Sequence, residues 1–285
     1  MKIGAVFPQL EIGTDPKVVR DWATTVEAAG YHHAHAYDHV LGADPTNRPG
    51  WTGYTHESLF HEVFVLFGYM AAITTTLELV TGVLVLPQRQ TALVAKQAAE
   101  VDILSGGRLR VGVGIGWNHV EYQALGVPFR QRGALLEEQV DVLRRLWTEP
   151  VVTYHGKFHE IEEAGINPLP QREIPIWFGG RADAVMRRIG RIGDGWMPQI
   201  PPDNQARTRL ELMRTAAEQA GRDPAGIGID ARLSLGAVPE QDWRAFADGW
   251  RALGATHLSV NTMNMGLAKP EDHAAVLRDV LPQLT

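Results

Sequence analysis

At 285 residues, with 45% hydrophobic and 21% charged positions, the chain has enough apolar material to fill a large globular core. A net charge of −6, with no basic run longer than Arg144-Arg145 or Arg187-Arg188, argues against a nucleic-acid partner, which needs a basic face. Cysteine is absent, which excludes disulfides and zinc–thiolate sites, and the apolar runs are interrupted well short of the roughly 20 residues of a membrane span.

The opening MKIGAVFPQLEIGTD lacks the apolar core and cleavage site of a secretion signal, so a cytoplasmic location is expected. Residues 2–8 read as a first strand, and a helix follows over 16–29 with Gly30 just past its end. The second strand is YHHAHAYD (31–38), followed by a loop rich in Pro, Gly and Thr (42–56) and a helix from Val63. Strand three is LELVTGVLV (77–85) and its helix spans 91–104; strand four is RLRVGVGI (108–115). In the next helix, 134–147, Leu136, Val140, Leu143 and Trp147 share one face. An irregular stretch, 150–173, contains the hairpin-like VVTYHGKFHEIE. Strands five to eight lie at 174–178, 195–199, within 227–238 and at 256–261, each followed by a helical pattern, the last from Pro270.

Eight β-then-α units predict a single (β/α)8 TIM barrel domain over 1–285, with short insertions after strands two and four; an open doubly wound sheet is the runner-up. In a barrel, chemistry belongs at the carboxyl ends of the strands.

HHAHAYDHV (32–40) places four histidines in nine positions. His33 and His35 share a strand face, as a metal-binding pair would, but a metal site needs three or four converging ligands. Strands five and six offer no histidine, and His61-Glu62 does not begin an HExxH motif. His32, His33 and His35 are therefore expected to pack and hydrogen-bond, and no metal is expected. Gly112, Gly114 and Gly116 fail the dinucleotide fingerprint, because Trp117 stands at the third glycine position and the first two fall inside the strand. Glycine there lets something bulky approach the backbone. Gly82, late in strand three, reads as a bulge or a close approach. Gly179-Gly180-Arg181, between a strand and a helix, suits a phosphate at free backbone amides; an ordinary turn satisfies the same pattern.

Taken together, the opening strand, AGYHHAHAYDHV, the long run from Leu77 to Gly133 and IPIWFGGRADAVMRRIGRIGDGWMP resemble the bacterial luciferase-like monooxygenase superfamily. They most resemble its coenzyme F420 (deazaflavin)-dependent oxidoreductases. The resemblance implies that Asp38 and His39 meet the cofactor ring, with His39 moving a proton to or from the substrate. It implies a cis Gly82-Val83 bulge behind the ring and a cofactor phosphate at Gly179, Gly180 and Arg181, with Trp196 close by. Relatives that carry a glutamate just after the strand-four glycines are matched here by Trp117, with Asn118, His119 and Glu121 following. A sugar-phosphate dehydrogenase is therefore not implied, and Trp117 is read as shaping the pocket.

The resulting expectation is hydride transfer between F420 and a small organic substrate. An FMN-dependent monooxygenase is the alternative within enzymes, and a non-catalytic flavin- or deazaflavin-binding protein the alternative outside them. Pocket walls are expected from the 42–61 loop, with Trp51, Tyr54, His56 and His61, from Trp117 and Asn118, and from 150–173. A homodimer is implied by the resemblance, with no membrane or nucleic-acid partner.

Overall fold

The computed structural model describes residues 1–267 and 269–285. Its strands are β1 (Lys2–Val6), β2 (His33–Ala36), β3 (Glu78–Thr81), β4 (Leu84–Val85), β5 (Leu109–Gly114), β6 (Val152–His155), β7 (Glu160–Ala164), β8 (Ile176–Gly179), β9 (Gly195–Met197), β10 (Gly228–Ser234) and β11 (His257–Asn261). Its helices are α1 (Pro16–Ala28), α2 (Val63–Ile73), α3 (Thr91–Leu104), α4 (His119–Ala124), α5 (Arg132–Thr148), α6 (Asp183–Ile192), α7 (Asn204–Gln219), α8 (Trp243–Ala252) and α9 (Pro270–Leu284).

All strands but the antiparallel pair β6–β7 belong to one parallel sheet. β1 pairs with both β2 and β11, and the far ends meet where β3 pairs with β5, so the sheet closes into a barrel. Eight positions follow round the ring: β1, β2, β3 with its continuation β4, β5, β8, β9, β10 and β11. The open-sheet alternative is excluded by that closure.

Local chemistry explains the elements. Asp15 caps α1 by accepting from the Lys17 N–H at 2.8 Å, Pro16 occupies the first turn, and Gly30 leaves the helix with φ +95°. In α5 the expected face of Leu136, Val140, Leu143 and Trp147 is buried. The barrel strands are shorter than the apolar runs suggest.

Two insertions differ in what they do. The 37–62 segment crosses the carboxyl end of the barrel, where it meets Trp117 and α4. The β6–β7 hairpin follows α5 and lies on the outer wall. Its tip is fixed there by Glu138 of α5, which accepts from the Lys157, Phe158 and His159 N–H groups at 2.8–2.9 Å, and by a 2.6 Å bond between His159 and Thr91. The expectation that 150–173 walls the pocket is corrected: this segment packs between α3 and α5, away from the mouth. The six-residue α4 was not foreseen. No helix among the described residues is long and apolar enough to cross a membrane.

Candidate active site

Along β2 and beyond, alternate side chains enter the barrel, and the histidine cluster separates by depth. His33 is fully buried near the floor, where Nε2 lies 2.8 Å from Ser259 Oγ and 3.1 Å from Asp230. Ser259 Oγ donates to Asp230 at 2.9 Å, and Arg110 reaches both Asp230 (3.0 Å) and Glu78 (2.9 Å). Burial pushes the Asp230 carboxyl up, but the charges of His33 and Arg110 overcome it and hold the group well below the usual carboxylate range. His35 sits one step higher, with Nδ1 3.2 Å from Ser259 Oγ. Burial lowers its imidazole to about 3, against the pull of Asp230, so the ring is neutral. His33 and His35 are thus core residues, as expected; His32 is exposed, which corrects its assignment as a packing residue. The one cluster of metal-ligand type among the described residues, His155, Glu160 and Glu162, is exposed on the outer hairpin.

The third barrel strand breaks above His35. Gly82-Val83 is a cis peptide between β3 and β4. A Cβ on Gly82 would overlap the His35 imidazole, so only glycine fits there. Val83 turns toward the mouth, and the backbones of Gly114 and Gly179 come so close that a Cβ on either would strike its side chain. Of the close approaches read from the strand-four glycines, the one at Gly114 is this valine; Gly112 is met by the Thr81 carbonyl and Met197, and Gly116 by Val85.

A cavity of about 200 Å3 opens at the mouth, lined by Val83, His39, Tyr54, Trp117, Gln199 and Arg232 among others. Asp38 lies at its edge but is committed elsewhere: its carboxylate accepts from the Val85 N–H at 3.0 Å and from Arg89 at 2.7 Å, pinning β4 behind the bulge. His39 is half-buried, with ring centroids of Tyr54 and Phe60 at 4.9 Å and Trp117 at 5.8 Å. Its Nδ1 stands 3.1 Å from Glu121 Oε2.

Glu121 was noticed in the sequence but given no role. It is fully buried, and its other oxygen accepts from the N–H groups of Val40 and Leu41. Burial pushes its carboxyl up, yet the bonds from His39, from the Leu41 amide and from Gln88 prevail, so it is held below its ordinary value and ionised. Asn118-His-Val-Glu121 has the spacing of a helix N-terminus, a signal that could have placed Glu121 on an inward-facing first turn. Asn118 supplies that cap, accepting from the Val120 and Glu121 amides, and donates to the Leu41 carbonyl at 3.1 Å. With 1% exposure it supports the wall from behind, which corrects its assignment to the pocket surface.

Trp51 packs on Trp117 at 5.6 Å and donates to the Tyr54 carbonyl, so the two tryptophans form one wall. His61 lies instead against Phe7 at 5.8 Å, outside the cavity lining, and His56 is exposed. Gly180 adopts φ +118°, and the following helix α6 starts at Asp183 with Ala182 before it and no side-chain cap, leaving its first amides and the exposed Arg181 side chain available. Trp196 lies beside this turn, on the core side. It is fully buried, edge-on to Trp250 at 5.9 Å, and its indole N–H donates to the Gly180 carbonyl at 2.8 Å.

A family model described as luciferase-like monooxygenase matches residues 3–279. The chain belongs to the luciferase-like monooxygenase family. An uncharacterized protein of Mycobacterium tuberculosis is 34% identical to this luciferase-like chain over 222 residues, 76% of this chain and 77% of its own length. The pyrimidine monooxygenase RutA of Allorhizobium ampelinum is 32% identical, covering 57% of this chain and 46% of that protein. The F420-dependent glucose-6-phosphate dehydrogenase of Segniliparus rotundus is 29% identical, covering 78% and 64%. Among solved structures, an F420-dependent secondary alcohol dehydrogenase in complex with an F420-acetone adduct superposes with a TM-score of 0.82 over 100% of this chain and 99% of that one. At 17% identity that likeness concerns the fold of the luciferase-like barrel.

Proposed function

We propose that this luciferase-like barrel is an oxidoreductase that holds coenzyme F420 in its mouth and transfers a hydride between that cofactor and a small organic substrate. The observation that carries the reading is His39, held at Nδ1 by the buried Glu121 and lining the same cavity as Val83 in a chain of this family. The residues present fit a flavin-type group. Val83, cleared by Gly114 and Gly179, offers an apolar seat for a planar ring, and Gly179, Gly180, Arg181 and the uncapped start of α6 offer donors for a phosphate. When bound, the cofactor supplies the carbon that gives or takes the hydride. The protein holds the ring and excludes water with Trp51, Tyr54 and Trp117. Glu121 fixes His39 from Nδ1, which leaves Nε2, unbonded to any described residue, as the atom that gives or takes a proton.

The preference for F420 rests on the relative named for it, which matches 78% of the chain against 57% for the monooxygenase. An FMN-dependent monooxygenase is the second reading, favoured by the family description and by that second relative. Fluorescence titration of the purified protein with F420 and with FMN tests the first, followed by single turnover against a substrate panel. Tight FMN binding without F420 binding transfers the site to the monooxygenase reading. Cofactor binding with no turnover of any substrate leaves a binding protein. We also propose a homodimer: α2 is apolar on its outward face too, with Val65 at 72% exposure, and sedimentation equilibrium measures the assembly.

A further inference from the structure

Arg232 stands on the inward face of β10, two residues beyond Asp230, and lines the mouth cavity. Arg89 and Arg110 are neutralised by carboxylates, whereas Arg232 meets none among the described residues. Its bonds go to neutral oxygens: Nη1 donates to Tyr37 Oη at 2.8 Å and Nη2 to Gln199 Oε1 at 2.9 Å. Guanidinium has donors only, so each bond occupies an acceptor on its partner. The Tyr37 hydroxyl keeps its own hydrogen to give, and the Gln199 amide is oriented with its NH2 away from Arg232. Burial pushes the Tyr37 hydroxyl up to about 12, so it remains a donor at neutral pH. The nearby carboxylates are spoken for, Asp38 by Arg89 and the Val85 amide, Glu121 by His39 and two backbone amides. This side of the cavity thus presents one positive charge, with the Tyr37 hydroxyl and the Gln199 amide as further donors.

Position gives the group a role. β10 is the seventh strand of the ring and β3–β4 the third, so Arg232 faces Val83 across the mouth. A ring seated on Val83 would turn its open face toward Arg232. We propose that Arg232, Tyr37 and Gln199 anchor a carboxylate of the substrate, which makes the substrate class a small organic acid. Two carboxylate oxygens match the planar fork of an arginine, and hydroxyl and amide donors complete the shell. This rests on the oxidoreductase reading for the use made of the cavity, though the anchor itself can be tested apart from it.

Benzoate is a suitable probe, with benzyl alcohol as its neutral counterpart. Both are titrated by calorimetry against the full chain, cofactor-free and saturated with whichever cofactor binds, in wild type, Arg232→Met and Arg232→Lys. Benzoate is expected to bind wild type and to lose about tenfold or more in affinity in Arg232→Met, the worth of a charged hydrogen bond. Arg232→Lys should recover part of that loss, while the affinity for benzyl alcohol and for the cofactor stays within about twofold. The anchor is overturned if wild type does not take up benzoate, or if Arg232→Met leaves benzoate unaffected. It is equally overturned if Arg232→Met weakens the cofactor instead, which would put the arginine under the cofactor's own anionic groups. Failure to bind either cofactor removes the oxidoreductase reading alone, since benzoate on the cofactor-free protein still reports on Arg232.

Discussion

The floor and the mouth of this barrel are built by the same strands with the same kinds of side chain, yet they are chemically opposite. β10 sends Asp230 to the floor and Arg232 to the mouth; β2 sends His33 to the floor, and the chain just beyond it sends Tyr37 to the mouth. In the floor, Asp230 binds Arg110, His33 and Ser259, and Arg110 also binds Glu78 and lies 4.3 Å over Trp177. In the mouth, Arg232 has only neutral partners, and His39 has one nitrogen held and one free. An interior polar residue is therefore structural where its charge is cancelled, and a candidate for chemistry where it is not.

The largest effect expected from this contrast is on stability, in the floor. Asp230→Asn takes from the buried Arg110 its fully buried counter-charge, leaving only the half-buried Glu78, which should cost about 3–5 kcal/mol. Urea denaturation measures it. A loss below 1 kcal/mol would mean that the floor is wet enough to screen the pair, and the contrast with the mouth would weaken.

The mouth should respond in rate. His39→Ala is expected to lower kcat by about 10²-fold to 10⁴-fold, the usual worth of a positioned proton donor or acceptor, with cofactor affinity within about twofold. Glu121→Gln should lower kcat less and displace the pH profile of kcat, because it removes the charge on His39 Nδ1 but keeps the ring in place. Unchanged turnover in His39→Ala would remove the histidine from the mechanism. A Glu121→Gln variant with an unmoved pH profile would reduce Glu121 to a packing role.

A smaller effect separates the two layers by pH. His35 is neutral in the fold, lowered to about 3, whereas the unfolded chain takes up a proton near 6.5. Below about 6.5 the unfolded state binds the proton that the fold refuses, so stability is lost as pH falls toward 3, by about 1.4 kcal/mol per pH unit for this one ring. His257, lowered by burial to about 3, adds in the same direction. Glu121 and Asp230 contribute only below the usual carboxylate range, where their protonation in the unfolded chain begins to favour it. Urea midpoints at pH 7, 6 and 5 therefore isolate the histidines. A flat response across that interval would show that water reaches His35.

Much of this was legible in the sequence because it is local. The β-then-α alternation, the cap at Asp15 with Pro16, and the apolar stripe of α5 each follow from residues within a few positions, and the closed barrel confirmed them. The glycines of β5 announced close approaches, filled by Val83 at Gly114 and by Met197 and the Thr81 carbonyl at Gly112. What stayed hidden depends on distant partners. Asp38 meets Arg89 across 51 residues and His39 meets Glu121 across 82, so no local spacing could show that the first is tied to a bulge and the second to an acid. Arg232 was closer to visible: in GIDARLS the polar Asp230, Arg232 and Ser234 alternate with apolar residues, the pattern of an inward polar face. Asn118 was placed correctly along the chain but on the wrong side of the wall, since burial depth is not encoded in a motif.

The smallest expected effect bears on Trp117, expected from the sequence to shape the pocket. It is 43% exposed, 5.6 Å from Trp51 and 5.8 Å from His39, with its ring over Gly53. Such a position shapes a wall without holding up the core, so Trp117→Ala should change folding stability by no more than about 0.5 kcal/mol. Losing one aromatic contact on a bound substrate, worth about 0.5–1.5 kcal/mol, should raise KM about twofold to tenfold with little change in kcat. A collapse of kcat with KM unchanged would mean that Trp117 holds His39 in register rather than lining the pocket. The proton chemistry would then depend on the aromatic wall as well as on Glu121, and the mouth would be less open than its unpaired charge suggests.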